Sequence, residues 1–288
     1  MDERHLRALV GERHPISSPS ALRQAEEYLA GQFNHLGLDV SSHSFDALGG
    51  TYRNVIATIP SSPAATLSLP PVIVAAHYDT VIGSPGADDN ASALAVMLEV
   101  ARGLRDIPLN REVRFIAFCL EEEDLLGSLA YVSSLRKANQ EIAGAIVLEC
   151  VGYARSDEGS QQKPPGVPIT VPMVGDFLAI VGNSASAKVA AAVEGAAKQH
   201  VPDLKTVSLL VPGNGELLPD TRRSDHAAFW HYGYPAVMLT DTANFRNPHY
   251  HQPTDTLETL DLGFMERVAK AVAVAVNGLA DTFQRPAS

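Results

Sequence analysis

The stretch Ala75-Ala76-His77-Tyr78-Asp79-Thr80-Val81-Ile82-Gly83-Ser84-Pro85-Gly86-Ala87-Asp88-Asp89-Asn90 decides the fold. It opens at the end of a continuous apolar run, residues 71–76, the pattern of a central strand buried on both faces. The run stops at His77 and Asp79, and Gly83, Pro85 and Gly86 then bend the chain back. Asp88-Asp89-Asn90 opens a helical pattern over residues 88–104, with Leu94, Met97, Leu98 and Ala101 on one face. Imidazole and carboxylates gathered where a buried strand ends are what a divalent metal needs.

The same rhythm runs outward from this unit. Downstream, residues 112–120, 145–148, 177–181, 206–211 and 235–240 read as strands. Residues 125–137, 185–200, 224–231 and 262–279 read as helices, with Ser224 or Asp225 placed to cap the third of them. Upstream lie an amphipathic helix over residues 20–36, ended by Gly37, and a hairpin of residues 40–45 and 52–59 about Gly49-Gly50. The alternation predicts an α/β fold in one domain, residues 1–288. Its open, twisted sheet of about eight strands is mostly parallel (mixed), with helices on both faces. Residues 153–176 break the rhythm with Pro164, Pro165, Pro168 and Pro172, and read as a long loop of the kind that forms lids.

The chain is 45% hydrophobic and 19% charged over 288 residues, enough for a large core. A net charge of -11 argues against nucleic acid as a partner and suits a carboxylate-rich site that attracts cations. Cys119 and Cys150 sit in apolar runs and read as buried small hydrophobes rather than a disulfide. The charged N-terminus lacks a signal-peptide core, and no apolar run is long enough to span a bilayer, so the expectation is a cytoplasmic protein with no membrane partner.

Four strand ends carry candidate ligands: His77, Glu121-Glu122, Glu149, and the segment that leads to His249 and His251. In open α/β sheets, sites form outside the carboxyl ends of strands, so groups far apart in sequence converge there. Each has a blander reading. His77 with Asp79 is also a strand-end histidine beside a capping aspartate. Asp88-Asp89-Asn90 is also a helix N-cap run. Adjacent Glu121 and Glu122 repel each other at a buried strand's end unless a cation or shared proton relieves them. Glu149 ends an apolar run and needs a partner, Arg155 among the options. His226, His231 and His249 have plausible structural roles.

Taken together, these motifs resemble a family. Ala76-His77-Tyr78-Asp79-Thr80, Gly86-Ala87-Asp88-Asp89-Asn90-Ala91-Ser92, Glu121-Glu122 ahead of Gly127-Ser128, Leu148-Glu149, Ser224-Asp225-His226, and Tyr250-His251 with Asp255-Thr256 follow the order seen in the zinc aminopeptidases of peptidase family M28. The resemblance implies two Zn²⁺ per chain, with Co²⁺ or Mn²⁺ also suited to the ligand set. It implies that Asp88 bridges them, that His77 and Glu149 complete one and Glu122 and His251 the other. It also implies Glu121 as general base, Asp79 orienting His77, and a cis peptide between Asp88 and Asp89. Two zinc ions would then be balanced by three carboxylates and a bridging hydroxide, and the substrate would be a peptide or small aminoacyl compound.

One departure stands out. Well-known members carry a tyrosine four residues before the Asp of Ser-Asp-His, as a donor to the developing oxyanion; here that position is Thr221, followed by Arg222 and Arg223. An arginine, Tyr153 or Tyr250 is left to take that role, and Arg222 or Arg246 would suit a substrate carboxylate. Asp225 and Tyr250 are further substrate-side candidates. The competing readings are a glutaminyl-cyclase-like acyltransferase with one zinc, which needs fewer ligands, and a non-catalytic binding protein on the same fold. No Gly-x-Ser-x-Gly, His-Glu-x-x-His or phosphate-binding glycine loop is present.

Overall fold

The computed structural model describes residues 1–65 and 68–281. Asp2 caps a first helix, α1 (Glu3–Leu9), by accepting the Arg4 N–H. Helix α2 (Pro19–His35) starts with proline in its first turn, where a missing N–H costs nothing, and buries Leu22, Ala25, Leu29 and Phe33 on one stripe. Strands β1 (Asp39–Ala47) and β2 (Gly50–Ile59) form the hairpin, with Gly49 at φ +75° in its turn.

Strand β3 (Val72–His77) is buried at every position. Helix α3 (Ala93–Leu104) begins later than the helical pattern suggests. Residues Ala87–Ser92 form a wide turn in which Asp89 (φ -106°, ψ 84°) and Asn90 (φ -136°, ψ 31°) leave the helical region. Then come β4 (Val113–Phe118), α4 (Leu126–Lys137) and β5 (Gly144–Glu149). After the long 153–176 segment follow β6 (Phe177–Asn183), α5 (Ala187–His200), β7 (Lys205–Val211), α6 (His226–His231) and β8 (Ala236–Thr240). The last helix, α7 (Leu262–Asp281), is capped by Asp261 Oδ1, which accepts the Phe264 N–H.

All eight strands join one sheet in the order β1-β2-β4-β3-β5-β8-β6-β7. The central strands β4, β3, β5 and β8 are parallel, as the run of buried strands predicts. The sheet is mixed because β2 pairs antiparallel with β4, and β6 pairs antiparallel with β8. The β6 direction is not readable from a uniformly apolar strand, whose composition is the same in either direction.

Side chains alternate across the sheet with the period of two that strands impose. Val72, Val74 and Ala76 face a core shared with α1, α2, α3, α5 and α7, whereas Ile73 and Ala75 face a second core with α4 and α6. Helix α6 packs on β5 and β8. Over β6 and β7, Val181 and Leu209 are covered on this second face by Val167 of the 153–176 segment.

Candidate metal centre and its cleft

The carboxyl ends of β3, β4 and β5 and the segment after β8 converge on one cluster. His77 closes β3, Glu121 and Glu122 follow β4, Glu149 closes β5, and His251 arrives from the far side. Several junctions hold non-glycine residues in the left-handed region: Leu120 (φ 62°) before Glu121, Cys150 (φ 48°) after Glu149, and His251 itself (φ 60°). Such conformations are unfavourable for side-chain-bearing residues and collect where a fold must aim a group.

His77 Nε2 lies 3.2 Å from Asp89 Oδ1 and 3.4 Å from Glu149 Oε2. His251 Nε2 lies 3.0 Å from Asp89 Oδ2 and 3.4 Å from Glu122 Oε2. Two triads thus share Asp89, one oxygen turned to each: His77, Asp89 and Glu149 on one side, Asp89, Glu122 and His251 on the other. Glu121 stands beside them, its Oε2 3.9 Å from His77 Nε2.

The shared carboxylate is a correction. The resemblance makes Asp88 the carboxylate between the two halves of the cluster; in the structure Asp89 lies between His77 and His251, and Asp88 is committed elsewhere. Asp88 Oδ1 accepts the Gly152 N–H at 2.8 Å, and Oδ2 accepts from Asn247 Nδ2 at 2.7 Å. The non-proline cis peptide likewise lies between Asp89 and Asn90. Consecutive aspartates point to different sides of the turn, and only its backbone angles decide which one faces His77.

Buried neighbours aim the cluster. Asp79 accepts the N–H of Glu121 at 3.1 Å on Oδ1 and of Glu122 at 3.1 Å on Oδ2. Its Oδ1 lies 3.6 Å from His77 Nδ1, and its carbonyl is 3.2 Å from the same nitrogen. Asp79 therefore fixes both glutamates as well as the histidine. Asp255 accepts the N–H groups of Asp88 at 2.9 Å and Asp89 at 3.2 Å. Ser224 Oγ donates to Glu149 Oε2 at 2.7 Å.

Two polar residues beneath the site escape any reading of periodicity. Arg13, 2% exposed, donates from Nε to the Tyr78 carbonyl at 2.7 Å and from its Nη atoms to the carbonyls of Gly11 (2.7 Å), Gly86 (3.1 Å) and Leu9. Burial pulls its pKa down to about 10, against the pull of Asp79, Asp89 and Asp255. Asn54, fully buried in β2, accepts the Cys119 N–H at 3.0 Å and donates to the Gly127 carbonyl at 2.9 Å.

The electrostatics are those of a site that lacks charge balance by itself. Burial pushes the Glu121 pKa well up and the His77 imidazole opposes this, while the carboxylates of Glu149, Glu122 and Asp225 add to the rise. His77 shows the converse: burial works against its imidazolium, and Glu149 and Glu121 outweigh that and raise its pKa. His77 Nε2, Asp89 Oδ1, Glu122 Oε1 and His251 Nε2 are buried with no hydrogen-bond partner. Buried polar atoms are rarely left so without an unseen partner. Two imidazoles and three carboxylates converging on those atoms fit a pair of divalent cations.

Beside Glu149 opens a largely apolar cleft of about 790 Å³, part of it open to solvent. Its floor is Phe177, Ala179, Val181, Leu209 and Met238. Val167, Ile169 and Val171 roof it, and Asp220, Thr221, Arg223, Asn244 and Tyr250 stand at its polar rim.

The remaining candidates sort by position. Tyr250 lines the cleft, stacks on His251 (ring centroids 3.8 Å apart, 17° between planes) and accepts from Arg223 Nη2 at 3.1 Å. Thr221 Oγ1 donates to the Leu218 carbonyl at 2.7 Å, so its proton is spent. At the rim it is Arg223, not Arg222, that lines the cleft; Arg222 lies against the Gly215 turn. Arg246 is also turned away from the substrate side: it is buried, with Nε donating to Gln161 Oε1 at 2.8 Å and its guanidinium 4.5 Å above the Phe177 ring. Asp225 is fully buried under His77 and Glu149, out of reach of a substrate, and burial lifts its pKa to about 7 despite the opposing His77.

The cluster is a candidate metal site at the strand ends of an open α/β sheet. The Peptidase family M28 model matches residues 54–276, and the chain belongs to that family. It is 34% identical over 286 residues to the uncharacterized protein YfbL of Escherichia coli strain K12, covering 94% of this chain and 85% of that one. The solved structure of BSAP, a zinc aminopeptidase from Bacillus subtilis, matches with a TM-score of 0.61 and 28% identity over 83% of this chain. The chain spans 53% of that structure's length. A Porphyromonas gingivalis glutaminyl cyclase shares the fold, with a TM-score of 0.67 and 19% identity, covering 96% of this chain and 95% of that one. Among the described residues no helix is long and apolar enough to cross a membrane.

Proposed function

We propose that the protein is a two-metal aminopeptidase that releases N-terminal residues from peptides. The observation that carries the reading is the pair of triads sharing Asp89, which offers two cation positions where a single-zinc acyltransferase needs one. His77 and Glu149 would hold one zinc ion, Glu122 and His251 the other, with Asp89 between them. Bound there, the metals would polarise the scissile carbonyl and make a water nucleophilic at neutral pH.

The chain's own groups do the rest. Glu121, buried beside both triads with a raised pKa, takes a proton onto its carboxylate and returns it to the leaving amine. Asp79 holds the Glu121 and Glu122 backbones, so the base and a ligand keep fixed relative positions. Tyr250 accepts from Arg223 through its oxygen and keeps its own O–H free to donate to the developing oxyanion, the role Thr221 is too committed to fill. The apolar cleft takes the side chain of the residue being released.

The test is digestion of a peptide with a free N-terminal leucine beside its Nα-acetylated copy, followed by mass spectrometry. Stepwise loss from the free peptide alone supports the reading. Internal cleavage of both, or cyclisation of an N-terminal glutamine without hydrolysis of any peptide, contradicts it.

A further inference from the structure

The roof of the apolar cleft is not a helix. Where α6 stops short of β6 and β7, the 153–176 segment crosses instead. Val167, Ile169 and Val171 turn inward while Pro168, Thr170 and Pro172 stay exposed. This period-two pattern lays an apolar stripe opposite Phe177 and Leu209. A proline-rich stretch outside any named strand has few backbone bonds to hold it. Its height above the sheet must be set from elsewhere.

The neck of the segment supplies that hold. Gln161 is 1% exposed although its neighbours Gln162 and Lys163 face solvent. Its Oε1 accepts from Arg246 Nε at 2.8 Å, its Nε2 donates to Thr242 Oγ1 at 2.9 Å, and its backbone N–H donates to the Met173 carbonyl at 3.2 Å. Gln162 N donates to the Phe245 carbonyl at 2.8 Å, and Arg246 Nη1 to the Tyr153 carbonyl at 3.3 Å. Arg246 also lies on Phe177 of the cleft floor. Gly175 leaves room for it: a Cβ there would meet Arg246 Cδ at 2.9 Å. Both legs of the segment are thus tied, through two buried polar side chains, to the floor they roof. Gln161 pairs both ends of its amide and Arg246 pairs through Nε and Nη1, and giving up such buried partners is costly, which favours one arrangement of the neck.

We propose that Arg246 and Gln161 are a positioning pair that sets the width of the apolar cleft and so the preference for large apolar residues over small ones. The inference rests on the aminopeptidase reading only for what the cleft holds. A leucine or phenylalanine side chain reaches the Val167–Val171 stripe; an alanine methyl does not. Loosening the neck therefore costs large residues their roof contacts and leaves small ones untouched.

The experiment compares wild type, Gln161→Ala and Arg246→Met, each zinc-loaded, on phenylalanyl and alanyl peptides, and titrates each by calorimetry with L-phenylalaninol, an amine with an apolar side chain and no scissile bond. The expected result is about a tenfold fall in kcat/KM for the phenylalanyl peptide through KM, with the alanyl value within about twofold, and about tenfold weaker L-phenylalaninol binding. Equal losses on both peptides, or unchanged selectivity in folded variants, would overturn it. Should Arg246→Met fail to fold, Gln161→Ala decides alone. If wild type hydrolyses neither peptide, the aminopeptidase reading has failed, and the L-phenylalaninol affinities still decide the clamp. Unchanged affinity in the variants, or no binding to wild type, overturns it.

Discussion

Asp89 Oδ2 lies 3.0 Å from His251 Nε2, although the two residues lie far apart in the chain. With its other oxygen toward His77, Asp89 is the one carboxylate common to both triads. Asp89→Asn is therefore expected to lose bound zinc and at least about a hundredfold in activity. Asp88→Asn, whose carboxylate serves the Gly152 N–H, the Asn247 amide and the Ser92 hydroxyl, should keep the full metal complement with at most about 10–100-fold weaker affinity. Metal analysis of both variants after dialysis checks this; the reverse order would restore Asp88 to the bridge.

Glu121→Gln keeps the shape of the cluster and removes the proton acceptor. The variant is expected to retain both metals and lose roughly 10²–10⁴-fold in kcat. Wild-type turnover in the metal-loaded variant would mean that Glu121 is not the base.

How much of this was legible depended on what each residue's signal was. His77, Glu122, Glu149 and His251 stand out in the sequence because polar groups break apolar strands or follow them at the edge where α/β sheets build sites. Asp88 and Asp89 look alike there, since both suit a helix N-terminus, and only the non-helical angles at Asp89 and Asn90 separate them. The central parallel strands were readable from unbroken apolar runs; the reversal at β6 was not, because burial pattern carries no direction. Arg13 carried no signal at all: an arginine among polar residues reads as surface until tertiary structure closes over it.

Arg13 leads to a third expectation. Arg13→Met strands the carbonyls of Tyr78 and Leu9 in the interior and takes from the Gly86 carbonyl one of its two donors, leaving it the Ala91 N–H. A loss of about 3 kcal/mol follows for two unsatisfied buried acceptors, which corresponds to a fall of roughly 6–12 °C in Tm. Because Gly86 leads into the Asp89 turn, zinc affinity should fall as well. Thermal melts with and without zinc test both; an unchanged melt would show the contacts to be dispensable.

The buried His226 gives a pH dependence with a defined sign. Nε2–H donates to the Thr221 carbonyl at 2.8 Å, and burial pulls its pKa down to about 4, from an ordinary 6.5. Between pH 6.5 and 4 the unfolded chain takes up a proton that the folded chain refuses, so stability falls as pH drops through this window. The contribution is about 3 kcal/mol at the acid end. His226→Gln removes this proton uptake, and its Tm should fall less steeply with acid than that of wild type; parallel curves from pH 7 to 4 would contradict the assignment.

The central claim, a centre built for two cations, is tested most directly by titrating zinc into chelator-stripped protein and counting equivalents per chain. The account predicts two, both in the tight-binding range and both dependent on Asp89. A single tight equivalent that survives Asp89→Asn would contradict it and favour a one-metal enzyme on this fold.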